Sequence, residues 1–224
     1  MATKQSTDTE VPPELCALPA GRHSLPREFV AQNQRTRLIA GMIEVAGEQG
    51  YARASVSRCI EAAHVSRKTF YEQFADKEEC FTAAYEAGMA EVRSRFAAPF
   101  ESDEGRPQTI EAALAAVLEF FAENPNVARV TMVEVLLSTP RLFERHHAEI
   151  VGLAPLLSRD RDADGNGSTP SPLTEEGIIS GVFSLISQRI LTGETATLPR
   201  MLPQLTELAL TPYQGAARLR QAAS

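Results

Sequence analysis

The sequence predicts an all-α chain in two parts, an N-terminal three-helix unit and a larger helical domain behind it. Three observations carry this reading. Apolar residues recur at helical spacing, as Val56, Cys59, Ile60 and Ala63 do at i, i+3, i+4 and i+7. Runs of β-branched residues are scarce and there is no Trp. Residues suited to capping helices stand where apolar periodicity begins, Ser55, Ser66 and Asp76 among them. A chain of 224 residues with 43% hydrophobic content can bury a sizeable core and suits one or two domains.

In chain order, residues 1–25 read as a Pro- and Thr-rich tail. Its end, from Gly21 to Arg27, is a basic arm of the kind that reaches a minor groove in homeodomains; the other reading is a solvated tail. The first helix is predicted from about Glu28 to Gln49, with Leu38, Ile39, Met42, Ile43 and Ala46 inward. Gly50 suits the position just past its end.

Ser55 to Lys77, SVSRCIEAAHVSRKTFYEQFADK, is the most informative stretch. It predicts two short amphipathic helices joined by a tight turn. In the second, Phe70 and Phe74 lie four apart and point inward, leaving Arg67, Lys68, Thr69, Tyr71 and Gln73 on the outer faces. A cationic helix carried on a rigid helical partner is a common way into the major groove of DNA. Asp76 and Glu79 form a capping box that opens a long helix, with Phe81, Tyr85, Met89, Val92 and Phe96 as its apolar face.

The formal net charge of −7 argues against DNA binding until it is divided along the chain. Arg22 to Lys77 holds nine Lys/Arg against six Asp/Glu, whereas Glu78 to Ser224 holds twelve against twenty. The positive charge thus concentrates around the motif, where phosphates would lie.

This stretch resembles the DNA-binding domain of the TetR family of bacterial transcriptional regulators. The family pattern runs Thr-Val, Ile-Ala, Ala-Gly-Val-Ser, Thr-Phe-Tyr, then Phe and Lys-Glu. Here those places hold Ser55-Val56, Cys59-Ile60, Ala63-His64-Val65-Ser66, Thr69-Phe70-Tyr71, Phe74 and Lys77-Glu78. His64 replaces the turn glycine, and Cys59 an aliphatic core residue. The resemblance implies that Ser55 and Ser57 touch phosphate or a groove edge. It implies that Arg67, Lys68 and Gln73 face bases, and that Thr69, Tyr71 and Lys77 hold phosphates. Glu72 either accepts from a cytosine amino group or pairs with a neighbouring basic side chain.

The organisation expected is a tail at 1–25, a helix-turn-helix DNA-binding domain at 26–89, and a helical ligand-binding and dimerisation domain at 90–224. In the last, helices are predicted from Pro107 to Asn124, Val127 to Leu137, Pro140 to Leu157, Leu173 to Thr192 and Leu198 to Leu210. Ile110, Leu114, Val117, Leu118 and Phe121 form the inward face of the first of these. Residues 158–172 read as a loop. Within it Asp160, Asp162, Asp164 and Gly165 imitate half a calcium loop, but Ser171 stands where a bidentate Glu belongs, so a solvated acidic linker is expected. His146 and His147 point about 100° apart on a helix, one towards a pocket and one towards water, and cannot easily grip one metal.

Ile178, Gly181, Val182, Leu185 and Ile186 form one stripe on the last two helices, and Met201, Leu202, Leu205, Leu208 and Ala209 another. These are read as the interface of a homodimer, in keeping with the four-helix bundle of the resembling family, and otherwise as intrachain core. The family also implies a ligand site among residues 85–190, with Phe121, Met132, Glu134, Phe143 and His147 as candidates.

Cys16, Cys59 and Cys80 match no metal spacing and suggest free thiols in a reducing compartment. With no secretory h-region and no apolar span, a cytoplasmic protein without membrane contact is expected. There is no nucleophile elbow, phosphate-cradling loop or zinc helix, so neither enzyme nor cofactor is expected. The function expected is a regulator, most simply a repressor, that binds a palindromic double-stranded DNA operator as a homodimer and is released by a small-molecule inducer. The alternatives are a helical protein-interaction module and a helical enzyme with an accessory DNA-binding domain.

Overall fold

The computed structural model describes residues 27–101, 105–157 and 170–221. The tail with most of its basic arm, and the calcium-like aspartates, lie outside the described residues. Ten α-helices follow in order: α1 Arg27–Gln49, α2 Val56–Ala63, α3 Arg67–Gln73, α4 Lys77–Ala97, α5 Arg106–Glu123, α6 Pro125–Met132, α7 Pro140–Val151, α8 Ala154–Leu157, α9 Pro172–Leu191 and α10 Leu202–Gln221. The fold is all-α, with no strand among the described residues. No helix among them is long and apolar enough to cross a membrane.

The buried residues form one contiguous cluster from Leu38 to Ala209. The predicted faces of α4 and α5 are all inside, from Phe81 to Phe96 and from Ile110 to Phe121. In α1, Leu38, Met42 and Ala46 are buried, while Ile39 and Ile43 pack at the edge of the core. Cys59 and Cys80 are free and buried, and both thiols donate towards the Leu38 carbonyl, at 3.4 and 3.8 Å.

Several boundaries differ from expectation. The helix expected to reach Leu137 leaves α geometry after Met132 and ends in a 3-10 turn, Glu134–Leu137. Val133, at φ −119 and ψ −59, coincides with the break, and the Glu134 side chain is taken by partners outside the turn. The helix from Pro140 stops at Val151, where Gly152 interrupts it, and Pro155 lies in the separate turn of α8. The last helix begins as a 3-10 stretch, Thr195–Met201, around Pro199, and α10 then runs beyond Leu210.

Polar contacts fasten α7 to α4. Glu86 accepts from Arg145, Glu149 accepts from Arg93 at 2.6 Å, and between these pairs Tyr85 Oη lies 3.2 Å from His146 Nδ1 in the core. The phase of α7 is set by Leu142, His146 and Ile150, all buried. This corrects the histidine assignment, because His146 is inside and His147 is exposed.

Burial pushes His146 down to about 4, with the neighbouring His147 adding to the effect, and burial pushes the Tyr85 phenol up. The unfolded chain therefore takes up a proton near pH 6.5 that the folded chain refuses until about pH 4. Stability linked to His146 is complete above pH 6.5 and is lost as pH falls towards 4. The loss is on the order of 3 kcal/mol across that window. Urea unfolding at pH 7 and pH 4.5 should show a smaller acid loss in His146→Gln than in the wild type. Equal losses would place the acid sensitivity elsewhere.

Candidate nucleic-acid interface

The motif is built from behind by α1 and locally by caps. Ser55 caps α2 by accepting from the Arg58 N–H at 3.3 Å. His64 ends α2 in the left-handed conformation, at φ 51 and ψ 47, and is the one non-glycine residue with positive φ among those described. The turn closes with the Val65 N–H donating to the Ile60 carbonyl at 3.1 Å. Ser66 caps α3, accepting from the Thr69 N–H at 3.0 Å. Asp76 caps α4 as expected, at 2.9 Å from the Glu79 N–H. The reciprocal bond of the box shifts by one residue, since Glu79 accepts from the N–H of Ala75 at 2.6 Å.

Two arginines of α1 hold the motif. Arg37 donates to the His64 carbonyl at 2.8 Å, fixing the turn. Arg35 donates to the Gln73 carbonyl at 2.9 Å and lies 4.3 Å from the centre of the Phe74 ring, fixing the far end of α3. In the sequence these two counted only as positive charge; their structural role depends on a fold that brings residues 27 and 38 positions apart together.

With Phe70 and Phe74 buried, α3 turns Arg67, Lys68, Tyr71 and Glu72 outward. Thr69, Gln73, Ser55 and Lys77 are partly buried, and Ser57 is exposed on α2. Arg67 reaches back to the Ser57 hydroxyl at 3.5 Å, joining two predicted contacts into one surface. The Thr69 hydroxyl lies 2.9 Å from that of Ser66. Lys68 and Glu72 form an exposed i,i+4 ion pair at 3.6 Å, as the plainer reading of Glu72 supposed. Lys77 is engaged by Tyr51, donating to its carbonyl at 3.1 Å with the ammonium 4.0 Å from the ring centre. Arg58, exposed on α2, was missing from the sequence-based set; its place on the polar side of that helix was the available signal.

The ligand candidates lie in different environments. Phe121 and Met132 are fully buried, and Glu134 is buried but bonded to Tyr51 and Arg129. Phe143 is 50% exposed and His147 is exposed, because the phase of α7 turns both outward. A groove of about 470 Å³ between the starts of α4 and α7 is lined by other residues, including Glu78, Glu79, Glu86, Arg141 and Arg145. Among the described residues no group of three or more His, Cys, Asp or Glu could hold a metal.

Of the residues expected at a dimer interface, Ile178, Val182 and Leu205 are buried in the chain's own core. The expected stripes merged two faces, since α9 points its Ile178, Val182 and Ile186 edge at its own chain. Leu185 and Leu208 are 40% and 42% exposed, Met201 is partly buried, and nothing lies within 4 Å of a Cβ built on Gly177 or Gly181.

Residues 38–84 match the family model of bacterial regulatory proteins of the tetR family. The fatty acid metabolism regulator protein of Bacillus subtilis (strain 168) is 26% identical over 125 residues, which span 54% of this chain and 62% of that protein. Among solved structures, the fatty acid degradation regulator FadR from Bacillus halodurans superposes with a TM-score of 0.70 at 18% identity, over 79% of this chain and 94% of that one. FadR from Bacillus subtilis, in complex with stearoyl-CoA, gives 0.69 at 18% identity, over 79% and 98%. The N-terminal unit thus matches the helix-turn-helix DNA-binding domain of bacterial regulatory proteins. The match to the tetR family lies in this N-terminal unit, and the chain as a whole is similar to regulators of fatty acid metabolism.

The seven residues of α3 are too few to hold a helix by themselves. Ser66→Ala removes the cap and should lower stability by about 1 kcal/mol, with a larger proportional loss of DNA affinity. Chemical unfolding and binding titrations with the same preparation check this, and unchanged DNA affinity would show that α3 is held without its cap.

Proposed function

We propose that the protein is a homodimeric repressor, acting in the cytoplasm, that binds a palindromic operator and is released by a small-molecule inducer. The observation that carries the DNA half is the outward surface of α3, held rigid from behind by Arg35 and Arg37 while Arg67, Lys68 and Tyr71 stay exposed. Arg67, Lys68 and Gln73 read bases, with Arg67 suited to the O6 and N7 of guanine. Thr69, Tyr71 and Lys77 set register on phosphates, and Ser55 and Ser57 line the same approach. The division near residue 90 is functional, with the acidic second part kept off DNA and serving as the sensor.

The dimer forms through the outward faces of α9 and α10, with Gly177 and Gly181 leaving room for a partner backbone beside Leu185 and Leu208. The likeness to fatty acid regulators, one of them bound to stearoyl-CoA, supports a long-chain acyl thioester as inducer. It relieves repression by binding the DNA-incompetent arrangement more tightly, with a coupling of about 1–3 kcal/mol.

Footprinting should show two inverted half-sites on one face of the duplex, centred about 34–36 Å apart. Lys77→Ala should flatten the salt dependence by about one unit of slope on every sequence. Arg67→Ala should instead relax preference at particular base pairs, by about 1–3 kcal/mol each. Leu185→Glu combined with Leu208→Glu should sediment as a monomer and lose most operator affinity. A monomeric wild type on a single asymmetric site would overturn the reading, and equal stearoyl-CoA affinity with and without operator would remove that inducer.

A further inference from the structure

Glu134 opens the 3-10 turn after α6 and is only 3% exposed. A buried carboxylate is tolerated when it is paired and hydrogen-bonded. One partner is local, Arg129 Nε at 3.0 Å. The other is the backbone N–H of Tyr51, 2.8 Å away and 83 residues earlier, in the turn that ends α1. Gly50, at φ +86, makes that approach possible, since a Cβ there would stand 3.2 Å from the Glu134 carboxylate.

Tyr51 carries the contact onward. Its ring lies 4.5 Å from that of Phe81, and its carbonyl and ring both hold Lys77, the first residue of α4. The helix just before Glu134, α6, is itself wedged between α1 and α4. A Cβ on Gly47 of α1 would meet Asn126 at 2.6 Å, and one on Gly88 of α4 would meet Thr131 at 2.5 Å. At both glycines the side chains of α6 therefore pack directly on the backbone of the neighbouring helix.

We propose that Glu134 is the positioning residue that fixes the DNA-binding head against the second domain. Its carboxylate grips the end of α1 through Tyr51, and Tyr51 in turn holds the start of α4. Displacement of α6 therefore moves both helices that support the motif. The consequence for operator spacing rests on the dimeric-repressor reading above; the positional role does not.

The test uses the full chain with nitroxides on Glu61→Cys and Glu111→Cys, both exposed sites, in a Cys16→Ser background and diluted into unlabelled protein. The parent should give one narrow distance distribution across head and second domain. Glu134→Ala should broaden it at least twofold, and Glu134→Gln, which keeps an acceptor for the Tyr51 N–H, should fall between. The double variant Arg129→Ala with Glu134→Ala leaves no unpaired charge and should broaden it as much. An unchanged distribution in a folded Glu134→Ala or double variant would overturn the proposal. On operator DNA, inserting one base pair between half-sites should cost the parent more than tenfold in affinity and Glu134→Ala less than threefold. Equal spacing penalties in both proteins would also overturn it. Failure of the parent to bind operator would sink the repressor reading and leave the distance measurement to decide the role of Glu134.

Discussion

From its cap at Asp76 to Ala97, α4 packs against α1 on one side and against α5 and α6 on the other. At 21 residues it is about 30 Å long, enough to run through both parts. Cys80 and Phe81 pack into the core of the head, while Tyr85, Met89, Val92 and Phe96 are buried further along. A helix packed into the core along its whole length cannot shift at one end without consequence at the other. The α7 contacts at Glu86, Arg93 and Tyr85 and the α6 contact at Gly88 all bear on this one helix.

The head shows how a weak helix is made usable. By itself α3 has little claim to stability, and its outer face is polar and solvated. Its order comes from two buried phenylalanines, one serine cap and two arginines reaching from α1 to backbone carbonyls. Because those restraints act from the inner side and the ends, Arg67, Lys68 and Tyr71 remain available on the outer side. His64 serves the same end, accepting a left-handed turn that glycine takes at less cost so that the two short helices can meet.

Glu134 shows where a residue-type reading goes astray. A lone acid between apolar neighbours looks like a ligand contact in sequence, yet its partners are Arg129 and a backbone N–H in the head. Buried charge is costly enough that the chain satisfies it internally, and here the satisfaction ties two parts of the fold together. His146 and His147 teach the same lesson at finer scale. The phase of α7, set by Leu142 and Ile150, decided which imidazole went inside.

By itself the sequence determined the helices, their caps and the motif, because periodicity, capping and turn chemistry act between residues a few positions apart. The inner faces of α4 and α5, the caps at Ser55, Ser66 and Asp76 and the left-handed His64 were all readable in this way. So was the resemblance of the motif to the tetR family, since its signature lies in one continuous stretch. Tertiary structure alone decided the break after Met132, the phase of α7, which edge of α9 faces its own chain, and the roles of Arg35, Arg37 and Glu134. Each depends on partners 27 to 83 residues away or on which face a neighbouring helix covers, and local spacing holds no record of either.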